Sequence, residues 1–241
     1  MTSNLDDRRI LITGATSGIG KAVARTIAAQ GGRVALLARR EAPLRELADE
    51  LDGAAVPADV TDVVAVRSAV DAAADGLGGL DGIINAAGVL RGGSFADTDP
   101  ADWKLLFDVN VLGLLHVSQA AIPHLVAAGL ADVVNVSSMS GRRLGTDEMA
   151  AYAASKAAVH MLSEGLRREL QPQGVRVSTL APGFVRTGLF DAGGDDFATR
   201  MGERAEEVGL DVEEVASAVV YLLTAPPGVV HPELAVVSID Q

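Results

Sequence analysis

Thr13-Gly14-Ala15-Thr16-Ser17-Gly18-Ile19-Gly20 joins a short apolar run, Arg9–Thr13, directly to a stretch of helical periodicity over 19–30. Three glycines between a strand and a helix permit a tight turn and let a ligand approach the backbone closely. The helix start adds unpaired N–H groups and the positive end of its dipole. The spacing is G-x-x-x-G-x-G rather than G-x-G-x-x-G, but the physics is shared. Such a cluster can be a plain turn. Its place after the first strand of an alternating chain is where doubly wound sheets bind nucleotides.

Downstream, apolar runs at 34–38, 54–57, 80–85, 132–137, 175–180 and 234–239 alternate with helical stretches. Helices are expected over 41–51, from Thr61 or Asp62 to Leu77, from Asp99-Pro100 towards His124, over 149–170, and from Asp211 to about Thr224. Asp99 before Pro100 and Asp211 with Glu214 are helix-start signals. Pro123 is expected to end its helix or disturb the last turn. The pattern predicts an α/β fold, a doubly wound Rossmann-type parallel sheet of about seven strands with helices on both faces. Without a composition shift or linker, one domain over 1–241 is expected. The least regular stretch, 188–209, is expected to form a substrate lid.

The net charge of −12 opposes binding to nucleic acid or to an anionic membrane, since both need clustered Lys and Arg. The absence of cysteine removes thiolate chemistry. The four histidines, His116, His124, His160 and His231, lack metal-ligand spacing, so no metal site is expected. No signal peptide is apparent, and no apolar run approaches the length of a membrane span, so a cytoplasmic location is the default.

The second strand should carry at its end an acid for a ribose 2′-hydroxyl. Here it ends Ala38-Arg39-Arg40. A guanidinium pairs with a 2′-phosphate where a carboxylate repels it. This favours NADP(H), with NAD(H) possible. Alternatively, either arginine is simply solvated.

With Tyr152-Ala-Ala-Ser155-Lys156 added, the chain resembles the single-domain short-chain dehydrogenases/reductases along nearly its whole length. Thr13–Gly20 matches the family's glycine turn. Asp59-Val60 matches the adenine-contacting pair. Asn85-Ala86-Ala87-Gly88 matches the segment after the fourth strand, with Ile84 in place of the usual first Asn. Pro182-Gly183-Phe184-Val185-Arg186-Thr187 matches the stretch beside the nicotinamide. The resemblance implies a catalytic set of Asn110, Ser138, Tyr152 and Lys156. It implies cofactor contacts from Gly14, Thr16, Ser17, Gly18, Ile19, Gly20, Arg39, Arg40, Asp59, Val60, Asn85, Ala86, Gly88, Tyr152, Lys156, Pro182, Gly183, Val185 and Thr187. It also implies a homodimer or homotetramer packed through the Tyr152 helix. The C-terminus lacks the family's common Asp-Gly-Gly ending. With Ala38-Arg39-Arg40 it resembles a reductase subgroup that includes clavulanic-acid-type and hydroxy-amino-acid dehydrogenases.

The residues also argue for the chemistry. Tyr152 and Lys156, four apart on a helix, share a face. A phenol with a pKa near 10 is a poor proton donor and acceptor at neutral pH. A nearby ammonium and an oxidised nicotinamide would both lower it. Tyr152 could then serve as acid and base, with Ser138 polarising the carbonyl. Ser137 is the alternative to Ser138, and family spacing favours Ser138. In the family, the asparagine matched by Asn110 supports a water that relays protons through the lysine. Pocket candidates are Ser138, Ser140, Met149, Phe184, Leu189, Phe190 and Met201, which suit a small, mostly apolar carbonyl or secondary alcohol. Arg142, Arg143 and Arg186 could instead receive a carboxylate or lie solvated at the rim. Other readings are an NAD-dependent alcohol dehydrogenase, a non-catalytic nucleotide sensor or scaffold, and an isomerase or dehydratase of the extended branch. The region after Leu180 is too short for the substrate domain of the last.

Overall fold

The computed structural model describes residues 5–190 and 196–241. Seven parallel strands form one sheet in the order β3-β2-β1-β4-β5-β6-β7. They are β1 Arg9–Thr13, β2 Arg33–Ala38, β3 Ala54–Pro57, β4 Gly82–Asn85, β5 Ala131–Val136, β6 Val175–Pro182 and β7 Glu233–Val236. The chain runs outward from β1 to β3, then crosses back to place β4 on the other side of β1. That reversal opens a crevice beyond the C-terminal ends of β1 and β4.

Helices cover both faces, as the uninterrupted apolar strands require. On one face α1 (Gly18–Ala29), α2 (Glu41–Glu50) and α8 (Val212–Leu223) pack Val23, Ile27, Leu44 and Val219 against Ile10, Ile12 and Leu36. On the other, α3 (Val63–Leu77) and α5 (Leu114–Ala128) bury Val66, Val70, Val117 and Leu125 against Leu11, Ile83 and Val133. The Asp62 carboxylate caps α3 by accepting from the N–H groups of Val64 and Ala65, and Asp211 with Glu214 forms the capping box of α8.

Two helices differ from expectation. The stretch opened by Asp99 and Pro100 is α4 (Pro100–Phe107), then a wider π-helical turn, Asp108–Gly113, then α5. Pro123 neither ends nor interrupts α5, which runs to Ala128. Pro123 and Gln119, whose carbonyl it leaves unpaired, both lie on the exposed face, where water can take the hydrogen bond. By composition 100–128 is apolar enough to cross a membrane, but half of its most apolar window is buried inside the fold. It is a core helix.

The expected irregular stretch 188–209 instead contains α7, Asp196–Val208. Its apolar stripe of Phe197, Met201, Ala205 and Val208 has helical spacing, diluted by Gly202 and a run of charges. Residues 191–195 of that stretch lie outside the described residues.

At the opposite end of the sheet from the crevice, Asp132 accepts two parallel hydrogen bonds from Arg176, both 2.8 Å, and a third from Arg8 at 2.7 Å. Arg8 and Arg9 also pair with Asp81. Removing the Asp132 carboxylate leaves the buried Arg176 guanidinium without its counter-charge and Arg8 with Asp81 alone. Asp132→Ala is therefore expected to lower unfolding stability by about 3–5 kcal/mol, read by urea denaturation. A loss below about 1 kcal/mol would show the network to be dispensable.

Candidate active site

The C-terminal ends of β1, β4, β5 and β6 deliver the four loops that meet in the crevice. Gly14, at φ +66°, lies so close to the β4 loop that a Cβ there would stand 2.9 Å from the Ala87 backbone. A Cβ on Gly20 would stand 2.5 Å from the Gly14 carbonyl oxygen. Side chains at either position would spread the turn and push α1 off the sheet. Thr13 locks the arrangement, its hydroxyl oxygen accepting from the N–H groups of Ala86 and Ala87 at 3.1 and 3.0 Å. Ser17 stands at the N-cap of α1 without a side-chain cap, so the first N–H groups of the helix point into the crevice.

The edge of this turn is cationic. Arg40 reaches back to Thr16, donating to its carbonyl and its hydroxyl, both at 3.2 Å. Arg39 is exposed, with Asp59 at 3.8 Å. Asp59 in turn accepts from the N–H and the hydroxyl of Thr61. His116 binds the Val60 carbonyl at 2.9 Å and His124 meets Asp71, so both serve the scaffold. The Asn85 side chain turns into the core instead of the crevice. Its amide donates to Ser118 and Asn135, and it is the backbone of Ala86 and Ala87 that borders the glycine turn.

The other wall carries α6, Ala150–Leu170, with Tyr152 and Lys156 buried on one face. The Lys156 ammonium lies 5.9 Å from the centre of the Tyr152 ring and donates to the Val136 carbonyl at 3.0 Å. Ser138 follows β5 and caps the 3-10 turn Met139–Gly141, its hydroxyl accepting from the Ser140 N–H. Ser137 is spent on the fold, donating to the Lys156 carbonyl at 2.9 Å, which leaves Ser138 as the serine that meets Tyr152. Asn110 sits in the π-helical turn. It clamps Val89 from both sides, accepting from its N–H at 2.8 Å and donating to its carbonyl at 3.0 Å. It also donates to Ser155, which donates to the Tyr152 carbonyl. The wide turn thus fixes the β4 loop and the start of α6 together, a common use of π-bulges.

Burial dominates the electrostatics. It pushes the Tyr152 phenol up to about 12, against a smaller opposing effect of the hydrogen bond from Ser138. It pulls Lys156 down to about 8. Of the two groups expected to lower this phenol, the lysine neighbour and an oxidised nicotinamide, the lysine does not offset its burial.

Between these walls lies a cleft open to solvent. All of Ser138, Ser140, Met149, Phe184, Leu189 and Phe190 line it, with Tyr152 and Leu90. Met201 packs behind this lining, in the cluster around Phe190 and Phe197. Among the described residues no charged side chain lines the cleft. Arg142 is held by Glu233 and Arg186 by Asp211, so neither is turned to a carboxylate in the cleft. Gln241 also lines the cleft, and nothing in the sequence pointed to it.

Residues 8–196 match the family model described as short chain dehydrogenase. The chain belongs to the short-chain dehydrogenase family. It is an oxidoreductase. An uncharacterized oxidoreductase of Staphylococcus epidermidis is 36% identical over 226 residues, 93% of this chain and 94% of the relative. Among solved structures, the closed form of a serine dehydrogenase complexed with NADP+ is similar at a TM-score of 0.89 and 29% identity, covering 96% of this chain and 95% of that one. A short chain dehydrogenase from Burkholderia cenocepacia in complex with NADP has a TM-score of 0.84 and 32% identity, covering 97% of both chains.

Proposed function

We propose that this short-chain dehydrogenase is an NADP(H)-dependent oxidoreductase that interconverts a carbonyl and a secondary alcohol on a small, mostly apolar substrate. The observation that carries the reading is the meeting of Ser138, Tyr152 and Lys156 at the wall of an uncharged cleft beside a glycine cradle. The cradle fits a dinucleotide. The backbone comes close where Gly14 and Gly20 lack Cβ atoms, and the start of α1 offers uncapped N–H groups to a pyrophosphate. Arg39 and Arg40 stand where a ribose 2′-phosphate would lie, with Asp59 and Val60 beside the adenine. Gly88 leaves room next to Lys156, since a Cβ there would come within 3.6 Å of its Nζ. Lys156 would hold the nicotinamide ribose, with Ile19, Pro182, Gly183, Val185 and Thr187 around the ring.

When bound, NADPH supplies the hydride that adds to the carbonyl carbon. Ser138 donates a hydrogen bond to the carbonyl oxygen and polarises it. Tyr152, kept protonated by burial, gives its proton to that oxygen, and the alcohol results. In the reverse direction the phenolate takes the proton from the alcohol. Asn110 holds Val89 and, through Ser155, the first turn of α6, and so keeps Tyr152 and Lys156 in register. Phe197 of α7 presses its ring onto Gly92 and packs in the cluster behind Phe190, so that α7, within the proposed lid 188–209, backs one side of the cleft. Exposed Leu112 and Met161 support packing of a second copy against α6.

The direct test is NADPH consumption on a panel of ketones, aldehydes and hydroxy acids. Turnover of neutral ketones or aldehydes is expected. Absence of turnover on the whole panel, with NADPH bound, would contradict a reductase. Arg39→Asp is expected to weaken NADPH at least tenfold more than NADH in fluorescence titrations. Equal losses would remove Arg39 from the 2′-phosphate site.

A further inference from the structure

The tail beyond β7 folds back over the loop that follows β6. Gln241 lies flat on Gly183, so close that a Cβ on that glycine would overlap its side-chain amide. Its Oε1 accepts from the Phe184 N–H at 2.8 Å. An N–H donor fixes which end of the amide faces the backbone, so the NH2 end faces away from it. That nitrogen has no hydrogen-bond partner among the described residues, and Gln241 lines the same cleft as Ser138 and Tyr152.

The remaining polar groups of the cleft are largely committed. Ser137 is bound to the Lys156 carbonyl, Ser138 and Tyr152 meet each other and would face the reacting oxygen, and the Thr187 hydroxyl accepts from the Leu189 N–H while keeping its own proton. Besides the hydroxyls of Ser140 and of Thr187, the latter placed above beside the nicotinamide ring, the Gln241 amide is the donor left over. An amide pinned by a backbone N–H keeps its orientation without further ordering, and so offers a donor at low entropic cost. The lining carries no cation to receive a carboxylate.

We infer that Gln241 determines specificity by donating a hydrogen bond from Nε2 to a second, neutral oxygen acceptor on the substrate. The substrate class is then a ketone that also carries an ester or a further carbonyl, rather than a plain alkyl ketone or a keto acid. This rests on the carbonyl-reductase reading above and narrows it.

The test compares ethyl pyruvate and ethyl acetoacetate with hexan-2-one, as NADPH-dependent turnover and as binding to the protein saturated with NADP+. Wild type, Gln241→Ala, Gln241→Glu and Ser140→Ala are measured. The expected result is that Gln241→Ala lowers the preference for at least one keto ester over hexan-2-one about fivefold, in kcat/KM and in binding alike, the size of one neutral hydrogen bond. Gln241→Glu, which keeps the acceptor for Phe184 but loses the donor, should lose the preference as well. NADPH affinity should stay within twofold. An unchanged preference in both Gln241 variants overturns the inference, as does its loss in Ser140→Ala alone. A gain on all three compounds overturns it too, by making Gln241 an obstruction. Failure of wild type to bind or reduce either ester has the same force. If wild type instead binds no NADPH, the reductase reading itself has failed, so the two failures are distinguishable.

Discussion

Tyr152→Phe is expected to lower kcat by a factor between about 10² and 10⁴, the range for loss of a positioned proton donor. The ring is buried and phenylalanine fills nearly the same space, so α6 should keep its packing. The lost atom is the hydroxyl, which meets Ser138 at the cleft. NADPH affinity, set by the cradle on the other wall, should stay within about twofold. Steady-state kinetics on any turned-over ketone, with a parallel fluorescence titration, separates the two. Unchanged turnover would sink the acid–base role and favour a nucleotide-binding protein that does no chemistry through this residue.

Lys156→Met is expected to abolish turnover and, without added nucleotide, to stabilise the fold at neutral pH. Burial holds the lysine at about 8, below the value near 10.5 of the unfolded chain. Below pH 8 both states carry the proton, and the cost of burying the ammonium is present in full. Between pH 8 and 10.5 the unfolded chain still binds the proton and the folded one does not, so stability rises with pH. The difference amounts to about 3 kcal/mol when complete. Tyr152 acts oppositely and later. Held at about 12, it keeps its proton above the ordinary phenol value of 10, so stability falls between pH 10 and 12. Urea unfolding at pH 7 and at pH 9.5 should show wild type gaining on the methionine variant by about 1–2 kcal/mol. A pH-independent difference would mean that Lys156 is hydrated in the fold.

Much of this was legible because it is local. Alternation of apolar runs with helical stretches placed six of the seven strands within about two residues at each end and overran β7 by three, and of the two arginines after β2, Arg40 sits against the glycine turn. Tyr152 and Lys156 share a face because helix geometry requires it. What escaped was cooperative or distant. The π-helical turn at Asp108–Gly113 satisfies Asn110, Val89 and Ser155 at once, and no single residue signals it. The ion network joins Arg8, Asp81, Asp132 and Arg176 at the starts of four strands, and reads in sequence as scattered charges. Gln241 reaches the cleft only through the return of the tail. The raised phenol of Tyr152 shows the same limit, since burial depends on everything packed around it. Helix α7 is the one avoidable miss, because its stripe was present in the sequence.

The most direct test of the account is a fluorescence titration of the purified protein with NADPH and with NADH, which needs no knowledge of the substrate. Saturable NADPH binding is expected, with NADH weaker by about tenfold or more, some 1.4 kcal/mol. Binding of neither nucleotide would contradict it at its root, and a preference for NADH would contradict the role of Arg39 and Arg40.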